Sequence, residues 1–244
     1  MSNSYHVHKL YLPYHTKRAK AILQGKIPAP SLMEIDPTDE GCNQACPHCC
    51  FDSSPHRKLI QINVEHLLRF VKDAYVHGTY AYELVGGGEP TAHVRIAEII
   101  EGIASLAETG GEHPHIGMVT NGVLLERIFP VAHHLDFVRV SLDAAEAPLY
   151  ETLHGVNAAQ KHFDRVIANI RNLIASHGRK LVRLGYLVVP PHNHQAAKIR
   201  QFIELAITLG VEHVAFRPAY SDAVVDISQW QEASRAILEE SAKH

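Results

Sequence analysis

Six short apolar runs, each followed by a longer stretch with apolar residues at three- and four-residue spacing, alternate along most of this chain. The runs lie at 32–36, 80–85, 115–119, 136–142, 181–189 and 212–217, and the helical stretches at 63–77, 93–109, 123–134, 159–177, 195–209 and 228–242. Such alternation predicts a parallel sheet covered by helices, because a parallel neighbour is reached only through a crossover. Right-handed crossovers repeated without reversal curl that sheet in one direction. The expected fold class is therefore α/β, a partial (β/α)6 TIM-like barrel with parallel strands and outer helices. Residues 31–244 are expected to form this one domain, after an N-terminal extension, 1–30, with a helix near 15–25. The stretch 63–77 shows the pattern plainly, with Val64, Leu67, Leu68 and Val71 on one face and Asn63 placed to cap it.

In barrel-like parallel sheets, chemistry collects at the C-terminal ends of the strands. Four unusual motifs fall there. A cysteine loop, 41–50, follows the first run; Gly86-Gly87-Gly88-Glu89-Pro90 follows the second; Thr120-Asn121-Gly122 closes the third; Ser141-Leu142-Asp143 ends the fourth. Their shared face is where a site is expected.

All four cysteines lie between positions 42 and 50. A disulfide framework spreads its cysteines to close long loops, whereas grouped thiols read as ligands for a soft metal or a cluster. Cys42, Cys46 and Cys49 have the spacing Cys-x3-Cys-x2-Cys. Three thiolates on a four-iron cubane leave one iron open, while a closed structural zinc site wants four ligands. His48 completes a zinc set on paper, but no second Cys or His pair stands at matching spacing. Cys50 directly follows Cys49 and is not expected to reach the same cluster. A small buried hydrophobe is its plainer reading.

Hydrophobic residues make up 46% of the chain, enough for a sizeable core, and the formal charge is −3. That balance gives no basic face for nucleic acid or membrane, and no apolar run nears the roughly 20 residues of a spanning helix. The start, Met1-Ser2-Asn3-Ser4-Tyr5-His6, lacks the basic-then-apolar order of a secretory signal, so a cytoplasmic location is expected. The 19 histidines show no ligand-like spacing, and His192-Asn193-His194 reads as a turn.

The Cys-x3-Cys-x2-Cys loop after a first strand resembles the cluster signature of the radical S-adenosylmethionine (SAM) superfamily, a resemblance extending over about residues 32–218. It implies one [4Fe–4S] cluster on Cys42, Cys46 and Cys49, with SAM held through its amino and carboxylate groups at the open iron. An electron from the reduced cluster then cleaves SAM to methionine and a 5′-deoxyadenosyl radical, which takes a hydrogen atom from substrate. Gly86-Gly87-Gly88-Glu89 resembles the family's Gly-Gly-Glu motif, placing Gly87, Gly88 and Glu89 at the SAM ammonium. By the same resemblance Ser141 and Asp143 serve the SAM ribose or carboxylate, Asn121 is a further contact, and Gly185-Tyr186-Leu187-Val188-Val189 packs on adenine. Arg183 and Arg217 are cations in apolar strands, which are rarely buried without a partner. A SAM carboxylate, an acidic substrate or another carboxylate of the barrel would each serve.

With no cysteine beyond Cys50, no auxiliary cluster is expected. The expected partners are a small-molecule substrate, such as a sugar, nucleoside or related metabolite, and an electron donor such as flavodoxin or ferredoxin. The net reaction is expected to be epimerisation, dehydrogenation, decarboxylation, or rearrangement or cyclisation. The alternatives are a peptide-modifying member of the same superfamily, a zinc-stabilised binding module and an electron-transfer iron–sulfur protein.

Overall fold

Each of the six apolar runs is a strand of one sheet. The structure, a computed structural model, describes residues 16–39, 41–49, 51, 59–109, 113–219 and 227–243. In chain order its strands are β1 (Leu32–Ile35), β2 (Thr38–Asp39), β3 (Ile60–Gln61), β4 (Ala81–Leu84), β5 (His115–Thr120), β6 (Phe137–Ser141), β7 (Val182–Val188) and β8 (His213–Pro218). Six of them pair in the order β1-β4-β5-β6-β7-β8, every pair parallel. Strand order follows chain order, so the sheet has no switch point and winds one way, as a partial barrel does. The two-residue strands β2 and β3 pair antiparallel beside the cysteine loop, an element too short to leave a periodic signal.

The helices are α1 (Thr16–Leu23), α2 (Val64–Val76), α3 (Ile96–Ala104), α4 (Ala147–His154), α5 (His162–His177), α6 (Ala196–Leu209) and α7 (Ile227–Ser241). Asn63 caps α2, its side chain accepting from the His66 amide at 2.8 Å. The crossover expected as a helix at 123–134 is a 3-10 helix over Leu125–His134 with Pro130 inside it. Proline lacks the amide that a regular α ladder needs, so the tighter winding is the local consequence. Helix α4 is absent from the sequence reading. It is short, carries Pro148 in its first turn and stops at Gly155, whose φ of 60° is left-handed. Of the N-terminal extension, α1 is described; Arg18 donates to the Gly78 carbonyl and lies 5.8 Å from the Tyr80 ring. Residues 1–15 lie outside the described residues, as does Cys50. No described helix is long and apolar enough to cross a membrane.

Alternation along the strands sorts the two faces of the sheet. Leu84, Met118, Val138, Val140, Leu184, Tyr186 and Val188 are buried beneath the helices, against residues such as Ile99, Ile103, Ile170, Leu173 and Phe202. The intervening positions of β6, β7 and β8, namely Arg139, Ser141, Gly185, Leu187, Ala215 and Arg217, line a cavity on the concave face. The convex face therefore holds the fold and the concave face is left for chemistry.

Helix α6 is pinned to the sheet through three rings. Phe202 lies 4.6 Å from Tyr186 and 6.3 Å from Phe216, centroid to centroid. Removing a fully buried ring of this size leaves a cavity, and Phe202→Ala is expected to cost about 3–5 kcal/mol. Urea unfolding of the two proteins measures it; a loss under about 1 kcal/mol would show that α6 is held elsewhere.

Candidate active site

A cavity of about 400 Å³ opens at the C-terminal ends of the strands, a size that suits a small ligand. Cys42, Cys46 and Cys49 line it together with Gly88, Glu89, Asn121, Ser141, Asp143 and Arg217. Nine of the eleven site residues expected from sequence, the three cysteines and Arg217 among them, share this one space. Gly87 lies beside it, between the lining residues Gly86 and Gly88, and a Cβ there would sit 3.5 Å from Phe51 of the lining. Arg183 is not brought to the cavity. It occupies the second position of β7, deeper in the barrel, with its guanidinium 4.3 Å from the Phe137 ring centroid.

The cysteine loop has almost no regular structure of its own and is held from three sides. On the β4 side, the Glu89 amide donates to the Gly41 carbonyl at 3.0 Å, and a Cβ on Gly88 would fall 2.3 Å from that same oxygen. Only glycine permits this approach. On the β5 side, Asn121 Nδ2 donates to Asn43 Oδ1 at 2.6 Å and lies 3.7 Å from Cys42 Sγ. On the α4 side, the Ala45 amide donates to the His154 carbonyl at 3.1 Å, and a Cβ on Gly155 would lie 2.0 Å from the Ala45 oxygen. Gln44 meets the Tyr150 hydroxyl at 2.6 Å and His154 Nδ1 at 2.9 Å, while Cys46 Sγ is 3.5 Å from that ring nitrogen.

None of the three thiols is in a disulfide. Desolvation pushes Cys42 up to about 11, and burial followed by the charge of neighbouring Cys42 raises Cys46 further. Thiolates crowded in this way are stabilised by a bound cation. Among the described residues, no three of His, Cys, Asp or Glu converge closely enough to chelate one metal ion. Three cysteines lining one cavity supply the thiolate set of a four-iron cluster with one open position. His48, the fourth ligand on paper, also lines the cavity, its pKa lowered by burial and by His192.

Glu89 is 3% exposed, and its carboxylate is held by neutral donors alone. Oε1 accepts from the Thr91 amide at 2.9 Å, the Thr91 hydroxyl at 2.5 Å and the Thr120 hydroxyl at 2.6 Å, while Oε2 accepts from the Asn121 amide at 2.8 Å. Among the described residues it enters no ion pair. A buried negative charge with oriented dipoles but no cation is a place where a ligand cation is favoured.

Asp143 is committed to the fold more than a free ligand contact would be. Its backbone is left-handed at φ 58°, Oδ1 accepts from the Leu187 amide at 2.6 Å, and Oδ2 lies 3.6 Å from His154 Nε2. Asp143 thus braces the strand end and also lines the cavity. Burial raises its pKa from 3.8 to about 7, against the lowering pull of the Leu187 amide. Burial also lowers His154 to about 3. Ser141 is half-buried on the cavity wall, and among the described residues its hydroxyl has no hydrogen-bond partner. Asn121 is more a clamp on the cysteine loop than an open contact.

Sequence reasoning missed the clasp formed by Gln44, Tyr150 and His154; its available signal was Tyr150 and Leu153 three apart, ahead of a His-Gly stop. It also missed Asn193. The turn at 190–193 is present, but Asn193 is fully buried, its side chain meeting the Val189 amide and the Leu187 and Asp143 carbonyls.

A family model described as Radical SAM superfamily matches residues 38–203. Over 136 residues the chain is 32% identical to GTP 3′,8-cyclase of Synechococcus sp. (strain WH7803), covering 53% of this chain and 38% of that protein. It is 31% identical over 178 residues to a probable GTP 3′,8-cyclase of Saccharolobus solfataricus, covering 71% of this chain and 52% of that one. The chain thus spans about half the length, or less, of these relatives. In fold it resembles Streptococcus suis SuiB bound to S-adenosylmethionine, with TM-score 0.72 and 14% identity over 99% of this chain and 55% of that one. It also resembles anSMEcpe with bound AdoMet, with TM-score 0.65 and 16% identity over 86% and 59%.

Two outcomes follow from the carboxylates. In Glu89→Gln one accepting oxygen becomes an NH2 facing another donor, so stability is expected to fall by about 1–3 kcal/mol in urea unfolding. For Asp143 the folded pKa is raised, so its contribution favours the native state at low pH and is lost as pH rises from about 4 to about 7. Asp143→Asn, which keeps an acceptor for Leu187, should therefore gain more stability over the parent at pH 8 than at pH 5. An equal gap at both values would place the titration elsewhere.

Proposed function

Because this chain belongs to the radical SAM superfamily, whose members use a [4Fe–4S] cluster and S-adenosylmethionine, we propose that it reductively cleaves SAM and abstracts hydrogen from a small organic substrate. The observation that carries this reading is a cavity joining three grouped thiols to a buried carboxylate that, among the described residues, enters no ion pair. In this reading Cys42, Cys46 and Cys49 hold three irons. Bound together, the cluster and SAM supply a 5′-deoxyadenosyl radical that takes a hydrogen atom from substrate.

The chain's own residues then have separable tasks. Glu89 receives the SAM ammonium, and Gly88 lets the backbone come close to it. Ser141 offers its hydroxyl to the ribose, since a hydroxyl can both donate and accept there. Leu187 gives adenine an apolar seat. Asn121 and Asp143 hold the walls in register rather than reaching for the ligand. Gln44, Tyr150 and His154 fix the loop from behind, against Cys46.

The substrate is read as a nucleotide or a related small metabolite, supported by relatives named GTP 3′,8-cyclase, and the reaction as hydrogen abstraction with ring formation or rearrangement. A one-electron donor of the flavodoxin or ferredoxin kind, acting in the cytoplasm where thiols stay reduced, completes the proposal.

The test is anaerobic. Iron and sulfide are reconstituted, the protein is reduced with dithionite, SAM and a panel including GTP are added, and 5′-deoxyadenosine is measured by mass spectrometry. The product is expected with the parent and absent with Cys46→Ala. Glu89→Gln should retain its iron and need at least tenfold more SAM. A fully loaded protein giving no 5′-deoxyadenosine, or one that takes up zinc in place of iron, would overturn the reading.

A further inference from the structure

The cavity has a floor that the tasks above do not use. Arg139 of β6 and Arg217 of β8 line it from either side of β7. Between them β7 carries Gly185, level with Ser141 on one neighbour and Ala215 on the other. Packing does not demand a glycine here. A Cβ at 185 would meet the Val140 oxygen at 3.6 Å, Ser141 Cα at 3.7 Å and Arg139 Cγ at 3.8 Å, all ordinary contacts, and its φ is not left-handed. The absent side chain at Gly185 and the small one at Ala215 therefore leave a hollow flanked by two guanidiniums.

Neither guanidinium has a hydrogen-bonded carboxylate among the described residues, although Arg139 is in a long ion pair with Glu83. That separation is 3.8 Å, beyond hydrogen-bond distance, and Arg217 enters no ion pair among the described residues. The charged groups facing Arg139 are the carboxylates Glu83 and Glu34 and the guanidiniums Arg183 and Arg217, two of each sign. Each guanidinium offers donors in a planar fork that matches an oxyanion.

Resting on the SAM reading of this cavity, we infer that the hollow between Arg139 and Arg217 receives an oxyanion carried by the substrate, a carboxylate or a phosphate. SAM has a carboxylate too, but it sits on the same carbon as the ammonium. Glu89 follows β4, and Arg217 is four strands away in a sheet whose strands stand about 4.8 Å apart. With the ammonium at Glu89, the SAM carboxylate stays at the β4–β5 end and leaves β8 to another anion.

The experiment is calorimetric titration of the cluster-loaded protein, kept anaerobic, with and without saturating SAM, using inorganic phosphate and acetate as probes. One anion per chain is expected to bind, and Arg217→Gln and Gly185→Val should each weaken it at least tenfold. SAM affinity in Arg217→Gln should stay within twofold of the parent. Tighter phosphate supports a phosphorylated substrate, and tighter acetate supports a carboxylated one. No saturable binding of either probe, or binding unchanged in both variants, overturns the inference. So does a loss of SAM affinity in Arg217→Gln that matches the loss of anion. Absence of SAM binding in the parent would instead sink the proposed function, which keeps the two failures apart.

Discussion

A single buried carboxylate holds together the end of the barrel where chemistry is expected. Glu89 leaves β4, yet its four hydrogen bonds come from Thr91, Thr120 and Asn121, so that it fastens the β4 loop to the end of β5. Asn121 passes the connection on to the cysteine loop through Asn43. A charge withdrawn from water to this degree is tolerated because every donor is already oriented toward it. The arrangement gives the same atoms two roles: structural knot for the protein and unneutralised anion for a ligand.

Much of this was legible in the sequence, for reasons that differ from residue to residue. Strands and helices were readable because β6 and β7 alternate buried and cavity-facing positions and because α2 and α5 keep their apolar stripes. The cysteines and the Gly-Gly-Gly-Glu run were readable because few other chemistries use that spacing. What escaped is non-local. Helix α4 is brief, and its purpose lies in a contact with a loop far earlier in the chain. Asn193 looks like any turn residue until it is found buried beneath Asp143. Arg183 and Arg217 read alike as strand cations, and only the register separates them: one sits deep beside Phe137, the other at the rim.

The two faces of the sheet show how one set of strands meets opposing demands. On the convex side, apolar side chains at every second position anchor the helices. On the concave side, the alternate positions carry Arg139, Ser141, Gly185 and Arg217, none of which adds much to a hydrophobic core. Because the periods are locked together by the pleat, this polar lining costs the packed side nothing in position.

The clasp between α4 and the cysteine loop bears on the order in which the molecule can be completed. Ala45 rests on the end of a helix that begins more than one hundred residues later in the chain, and Asn43 on a residue of the loop after β5. A chain emerging from the ribosome displays its thiols early and the walls that shape them late. The three sulfurs thus acquire their geometry only after β5, β6 and α4 are in place. Iron delivered during synthesis would find bare thiols; iron delivered afterwards would find a template.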